Sequence, residues 1–508
     1  MKSEVEISKN LKLLAKTSFI VFIWVAISKV LSYIYRITIA RQFGPEIYGL
    51  FSLAVMVTLL FSVFATIGLT RGIVRYISLY RGKKDIDKIR YVFRVSSFFL
   101  LVTSIIAAVI LFLLAEFISI NIFHNPGLII FLKIFGISIP IYIFMSFFLS
   151  TIQAYEKIYW YSFIYNILQN AVKVAVLIIL IFLGLKSSAV IFSYVLGIFL
   201  ALLASYFVCK YYISDIFDKS SLGKKTRKEI KKSLFSYSWP LLFFGLVLNI
   251  FYWTDSFVIG YLKDAHSVGL YNAALPIALL LMITSELFIQ LFFPLVTKEY
   301  SRKKISLIRE LSKQIGKWIF LINLPVIVLL LVFPGAFINI LFGSQYLVAK
   351  NALRFLAIGI LFNSVFIVSH RLIIMAGKTK TVLLDIIIVA IVNLILNFIL
   401  VQRYGITGAA FSTMVSLILL NLLFLFQSRH YLSIVPLKRK MISITVAAGI
   451  SAFILVYLKG IININVSSII ILSLFFFLSY VLLVFILRGL DKNDFIILKS
   501  IRKKFTRN

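Results

Sequence analysis

The chain has 508 residues, of which 61% are hydrophobic and 14% charged, with mean hydropathy +1.04 and a formal net charge of +35 at pH 7. That composition excludes an ordinary soluble domain and calls for an all-α polytopic membrane protein. The charge, which in a soluble chain would suggest nucleic acid, falls almost wholly in alternate connecting segments, so it reports topology and no nucleic-acid partner is expected.

Apolar runs of spanning length fall at 17–40, 48–70, 92–117, 128–154, 160–183 and 188–212. A second set follows at 237–260, 270–296, 318–333, 352–375, 381–401 and 408–425, with two more at 441–458 and 466–487. The expectation is about fourteen transmembrane helices. A basic segment precedes the first run, as in a signal peptide. That run is too long for one, contains Lys29 and lacks a small-residue cleavage site, so it is expected to be retained as a helix.

Most of the 53 lysines and arginines lie in segments on one side: the N-terminus (Lys2, Lys9, Lys12, Lys16), the stretches 71–94, 210–232, 298–317, 371–380 and 429–440, and the C-terminal tail. The opposite connections carry only Arg41, Lys186, Lys263, Lys350, Arg403 and Lys459. By the positive-inside rule both termini are cytoplasmic, in a multi-pass cell-membrane protein. Trp160, Trp239 and Trp318 each begin a helix at that same face, where amphipathic rings favour the headgroup layer. The single Cys209 rules out an internal disulfide, and the four histidines lack ligand spacing, so neither metal nor cofactor is expected.

The two halves repeat at an offset of roughly 220 residues, within the size range of a transporter repeat. Gly49-Leu50-Phe51 matches Gly269-Leu270-Tyr271, Lys83 and Lys84 match Lys303 and Lys304, Leu132-Lys133 matches Leu353-Arg354, and Gly184 and Ala189 match Gly405 and Ala410. The first twelve helices therefore divide into two six-helix sets, and an even number of crossings makes them parallel repeats. The expected organisation is an N-terminal lobe over 1–214, a basic cytoplasmic linker over 215–236 and a C-terminal lobe over 237–430. Two further helices and a basic tail occupy 431–508.

Five cations fall inside apolar runs: Lys29, Arg36, Lys133, Lys173 and Arg354. A charge at membrane depth costs about 2.5–3.5 kcal/mol on insertion scales, so each is a functional candidate. Lys133 and Arg354 lie near helix ends and can extend to the interface. Lys29 and Arg36 share one helical face, with Tyr33 between them. Lys173 aligns with Asn166, Gln169 and Asn170 on the fifth helix. Glu286 is mid-helix with Gln290 one turn on, and Asp385 reads as the solvated start of a helix.

The segment Ile39-Ala-Arg-Gln-Phe-Gly-Pro-Glu-Ile-Tyr-Gly-Leu-Phe-Ser-Leu53, its echo from Asp255 to Tyr271, and Gly68-Leu-Thr-Arg-Gly-Ile-Val-Arg-Tyr76 resemble the polysaccharide-biosynthesis, or oligosaccharide flippase, family. The resemblance covers residues 10–430. It implies membership of the multidrug/oligosaccharidyl-lipid/polysaccharide exporter superfamily, with lobes that rock to open a central cavity alternately to each side. It also implies a polyprenyl-linked oligosaccharide as cargo. By analogy with the superfamily's lipid II flippases, helices thirteen and fourteen form a side groove for the lipid tail.

On this reading Lys29, Tyr33, Arg36, Asn166, Asn170, Lys173 and Asn249 bind the substrate, the cations holding its phosphate or pyrophosphate. Arg36 and Asp255 form an outer gate, and Glu286 gates or couples transport to a proton or sodium ion. Partners are the lipid-linked oligosaccharide, membrane lipids and glycosyltransferases of the same pathway. One rival is a cation-coupled multidrug exporter, which should line its cavity with acids. The other is a membrane glycosyltransferase or polymerase, which should carry a large outer loop or paired surface acids. The first helix carries Lys29 and Arg36 and no acid, the longest outer loop, 333–350, has no acid and the first has only Glu46, so a non-enzymatic transporter is expected.

Overall fold

The computed structural model describes residues 2–462, 465–491 and 494, with side chains from residue 23 onward except those of 248 and 291. The basic tail over 495–508 and the side chains of Lys2, Lys9, Lys12 and Lys16 lie outside the described residues. Among those residues, 12 helices are long and apolar enough to cross a membrane. Helices are what a bilayer demands, because each backbone N–H and C=O must be satisfied within its own segment.

The chain divides into two compact units, Met1–Gly269 and Leu270–Asn508. The first contains α1 (Lys2–Thr66), α2 (Leu69–Gly82), α3 (Ile86–Phe117), α4 (Leu128–Ala154), α5 (Ile158–Ser162), α6 (Gln169–Phe182), α7 (Ser188–Tyr212) and α8 (Lys224–Leu262). The helix α9 (Ala265–Leu279) runs across the boundary. The second unit continues with α10 (Leu281–Ser301), α11 (Ile305–Val332), α12 (Pro334–Phe342), α13 (Lys350–Met375), α14 (Thr379–Leu432), α15 (Lys440–Ile461) and α16 (Val466–Ile486).

Two of these helices are each a bent pair. Gly44 (φ 78°, ψ 177°) breaks α1 and Gly405 (φ 56°, ψ −136°) breaks α14, backbone states that glycine reaches without a Cβ clash. Counting the bends accounts for the expected spans. Left-handed turn residues also recur about 220 residues apart, as repeat proteins of this kind predict: Lys84 with Lys303, His124 with Gly343, Glu156 with Gly377, and Gly184 with Gly405. The repeat is thus carried in the chain reversals, where backbone conformation is most constrained.

Some helices start earlier than hydropathy suggests. The stretch from Arg71, counted above as a connecting segment, lies on α2, which starts at Leu69 after a short break at Ile67 and Gly68, so Arg71 and Arg75 sit on a helix. Likewise α8 begins at Lys224 and α11 at Ile305, so the basic residues Lys224 to Lys232 and Arg309 to Lys317 are helical before the apolar stretches start.

In the first unit the core is aromatic. Phe135 stacks on Tyr194 with ring centroids 4.6 Å apart, and Phe51 meets both edge-on at 6.2 and 5.7 Å. Its buried hydroxyls turn back on their own helices, Ser52 to the Tyr48 carbonyl and Ser62 to that of Thr58, both at 2.8 Å. Two glycines allow close backbone approach. A Cβ at Gly49 would overlap the Ala265 carbonyl, and one at Gly269 would overlap the Pro45 carbonyl.

In the second unit, Asp385 differs from expectation. It is buried (5% exposed) and accepts a 2.7 Å bond from Gln427, because the two arms of α14 fold back on each other. Trp318 is also more than an interface anchor, since its indole N–H donates to Asp494 at 2.7 Å. Beside it Lys317, fully buried, bonds Asp491 at 2.9 Å and also Asp494. Lys438 reaches Asp491 at 2.6 Å and Gln314 at 2.6 Å. The segment after α16 is therefore tied to α11 and to the α14–α15 connection. Burial alone would raise the Asp491 pKa, but the Lys438 and Lys317 ammonium groups outweigh it and hold the carboxyl down to about 2.

Lys317→Met leaves two carboxylates facing each other and should cost about 3–5 kcal/mol of stability, much of it restored by adding Asp491→Asn and Asp494→Asn. Thermal unfolding in detergent tests this. The Asp491 contribution should be complete above the ordinary carboxylate value of 3.8 and disappear as pH falls toward about 2.

Candidate functional site

Ile23, Ile27, Val30 and Ile34 form an exposed apolar stripe, and Lys29, Tyr33 and Arg36 lie roughly a third of a turn away from it. Lys29 is exposed, whereas Tyr33 and Arg36 are half-buried. The Arg36 guanidinium donates to the Tyr48 hydroxyl at 3.4 Å, and Tyr252 and Tyr33 also stand within its electrostatic reach.

The fifth span is less regular than its sequence suggests. A π-helical segment, Phe163–Leu168, separates α5 from α6 and shifts the side-chain register. Gln169 is consequently buried, while Asn166, Asn170 and Lys173 remain half-buried. Asn170 donates to Ser28 at 3.0 Å, which joins this helix to the residue beside Lys29. Asn166 donates to Ser162 at 2.9 Å.

The Lys173 ammonium lies over the Tyr194 ring, 4.5 Å from its centroid, a favourable cation–π distance. Its stem runs across Gly197, where a Cβ would collide with the lysine Cγ. Arg36 is near enough to repel it, so two of the predicted cations share one region of the unit.

The same unit has an open cavity of about 610 Å³ near its basic end, a size typical of ligand sites. Asn249 lines it as expected. The other lining groups escaped sequence reasoning: Arg71 and Arg75 from α2, Tyr142 from α4, Tyr161 and Tyr165 from the fifth span, and Tyr237 from α8. Ser62, Thr66, Thr70, Ser146, Ser150 and Gln153 add hydroxyl and amide groups, and no lining residue is acidic. Arg75 rests 4.1 Å from the Tyr237 ring centroid and Arg71 lies 5.4 Å from that of Phe244. Tyr142, one of the lining residues, is within electrostatic reach of Tyr161 and Tyr165 and of Tyr194, the ring beneath Lys173.

The i, i+4 spacing of Arg71 and Arg75 was visible in the sequence, but their assignment to a loop hid it. The tyrosines are scattered along the chain, and only the fold assembles them. Asp255 is buried on α8, one turn beyond Tyr252. Glu286, half-buried on α10, belongs to the second unit.

Helical spans around a polar, basic cavity define a multi-span membrane transporter. The chain belongs to the polysaccharide biosynthesis protein family, whose model it matches over residues 14–300, and residues 240–399 also match the MatE family model. It is 25% identical over 389 residues to a putative O-antigen transporter of Shigella flexneri, covering 75% of this chain and 89% of that protein. It is 27% identical over 304 residues to a probable low-salt glycan biosynthesis flippase, Agl15, of Haloferax volcanii, covering 59% and 61% respectively. Its fold is similar to that of the lipid II flippase MurJ in an inward closed conformation, with TM-score 0.73, 19% identity, and coverage of 92% of this chain and 98% of that one.

Gly197→Val should displace Lys173 from Tyr194. The expected result is a protein that still inserts but has lost most of its transport. Comparison with Gly449→Ala, where a Cβ meets nothing within 4 Å, supplies the control.

Proposed function

We propose that this chain is a flippase that moves a polyprenyl-(pyro)phosphate-linked oligosaccharide from the cytoplasmic to the outer leaflet by alternating access of two lobes. The carrying observation is an acid-free cavity with arginines, amides and hydroxyls inside a membrane-embedded unit. Polar sugars need water or hydrogen-bonding walls to cross, whereas the prenyl chain can stay in lipid. The names of the relatives, an O-antigen transporter and a glycan flippase, point to the same kind of cargo.

In this scheme the basic side of the protein is cytoplasmic. Arg71 and Arg75 receive the anionic headgroup at the inner mouth, and Lys29, Arg36 and Lys173 hold it at depth. There, charge-assisted hydrogen bonds offset the loss of hydration. Tyr33, Asn166, Asn170 and Asn249 contact the saccharide. Arg36 and Asp255 close the outer side, and Glu286 gates or carries a coupling proton or sodium ion. A second, wholly apolar pocket of about 260 Å³ in the second unit, between α11 and α16, suits the lipid tail. Glycosyltransferases of the same pathway would supply the cargo.

The MatE match raises a multidrug exporter as a second reading. Cationic drugs would need acidic partners, and the cavity offers none.

Lys29→Gln/Arg36→Gln should reduce translocation of a lipid-linked oligosaccharide in proteoliposomes by at least about tenfold, as loss of two charged contacts implies. Normal export by a correctly inserted double variant would reject the binding role. Drug resistance conferred on a sensitive strain would favour the exporter instead.

A further inference from the structure

Four tyrosines line the cavity of the first unit, but their rings are not equivalent. The Tyr237 face is covered by the Arg75 guanidinium, and the Tyr142 hydroxyl is engaged with Ser146. Tyr161 and Tyr165 remain. Their planes are nearly parallel, 12° apart, with centroids separated by 6.1 Å. That step is close to the helix pitch of about 5.4 Å, and comparable with the width of one pyranose ring. Tyr165 is 43% exposed and is one of the residues lining the cavity.

The backbone helps explain the placement. Tyr165 lies inside the π-helical segment and Tyr161 just before it. A π turn re-aims the side chains that follow, and such turns are frequent at functional sites. Hydroxyl and amide groups of Ser146, Ser150, Gln153 and Asn249 line the same cavity. An aromatic face combined with neutral hydrogen-bonding groups suits a pyranose, whose C–H bonds form an apolar face and whose hydroxyls project from the rim. Arg71 and Arg75 line the same cavity and supply the anion contacts that these neutral groups do not.

We propose that Tyr161 and Tyr165 form a sugar-stacking platform that selects cargo by its pyranose rings, favouring rings with an extended C–H face such as N-acetylglucosamine. This rests on the flippase reading and adds a second recognition element to it, beside Arg71 and Arg75 in the same cavity and distinct from them in chemistry. The platform reads ring faces, so it tolerates differences in linkage while rejecting a carrier lipid that bears no sugar.

The test compares binding of undecaprenyl diphosphate with that of the same lipid carrying chitobiose, using purified protein in nanodiscs. In the unmodified protein the disaccharide should improve affinity by about tenfold, as one or two ring-stacking contacts provide. Tyr165→Leu, at an exposed position where folding should be unaffected, should abolish most of that gain and leave bare-lipid affinity unchanged. Tyr165→Phe and Tyr165→Trp should keep it. No gain from chitobiose in the unmodified protein, a gain that survives Tyr165→Leu, or an equal loss in Tyr165→Phe would each overturn the platform. The flippase reading fails separately, if bare undecaprenyl diphosphate binds no better to the unmodified protein than to Lys29→Gln/Arg36→Gln.

Discussion

Positive charge with no carboxylate bonded to it among the described residues, inside a membrane-embedded helical unit, is the constraint on which the rest of this structure depends. Arg36 and Lys173 repel each other, and tyrosine faces and hydroxyls surround them. A tyrosine ring stabilises a cation through its quadrupole without neutralising it. The site consequently keeps its electrostatic demand for an anion while avoiding the full cost of a bare buried charge. Gly197 shows that backbone space is reserved for this purpose, since any side chain there would occupy the path of the lysine stem.

The second unit handles its deepest cation in the opposite way. Lys317 is neutralised by Asp491 and Asp494, with Lys438, Gln314 and Trp318 completing the network. A fully satisfied ionic cluster of this kind fixes geometry and leaves no attraction for a ligand. The two environments differ in one respect among the described residues: carboxylates stand beside Lys317, and tyrosines and hydroxyls beside Arg36 and Lys173.

Much of the architecture was legible because hydrophobic run length and the distribution of lysine and arginine are direct consequences of the bilayer. The spans, the repeat and the special status of Lys29, Arg36 and Lys173 follow from those patterns. The cavity was less accessible to such reasoning. Arg71 and Arg75 looked like loop charges because hydropathy falls before the helix ends, and Asp385 looked solvated because its partner Gln427 is distant in sequence. The π-helical segment has no periodicity signal of its own, so the register of Tyr161, Tyr165 and Gln169 could only come from packing.

The Gly49–Gly269 crossing has a mechanical implication. Each glycine meets the carbonyl at the start of the other segment, Ala265 for Gly49 and Pro45 for Gly269, so the contact is reciprocal and made of main chain. Main-chain surfaces have no rotamers to lock or unlock, and weak Cα–H···O contacts contribute at most about 1 kcal/mol each. Two strips joined in this manner meet like smooth plates instead of meshed gears, with no side chain on either glycine to interlock.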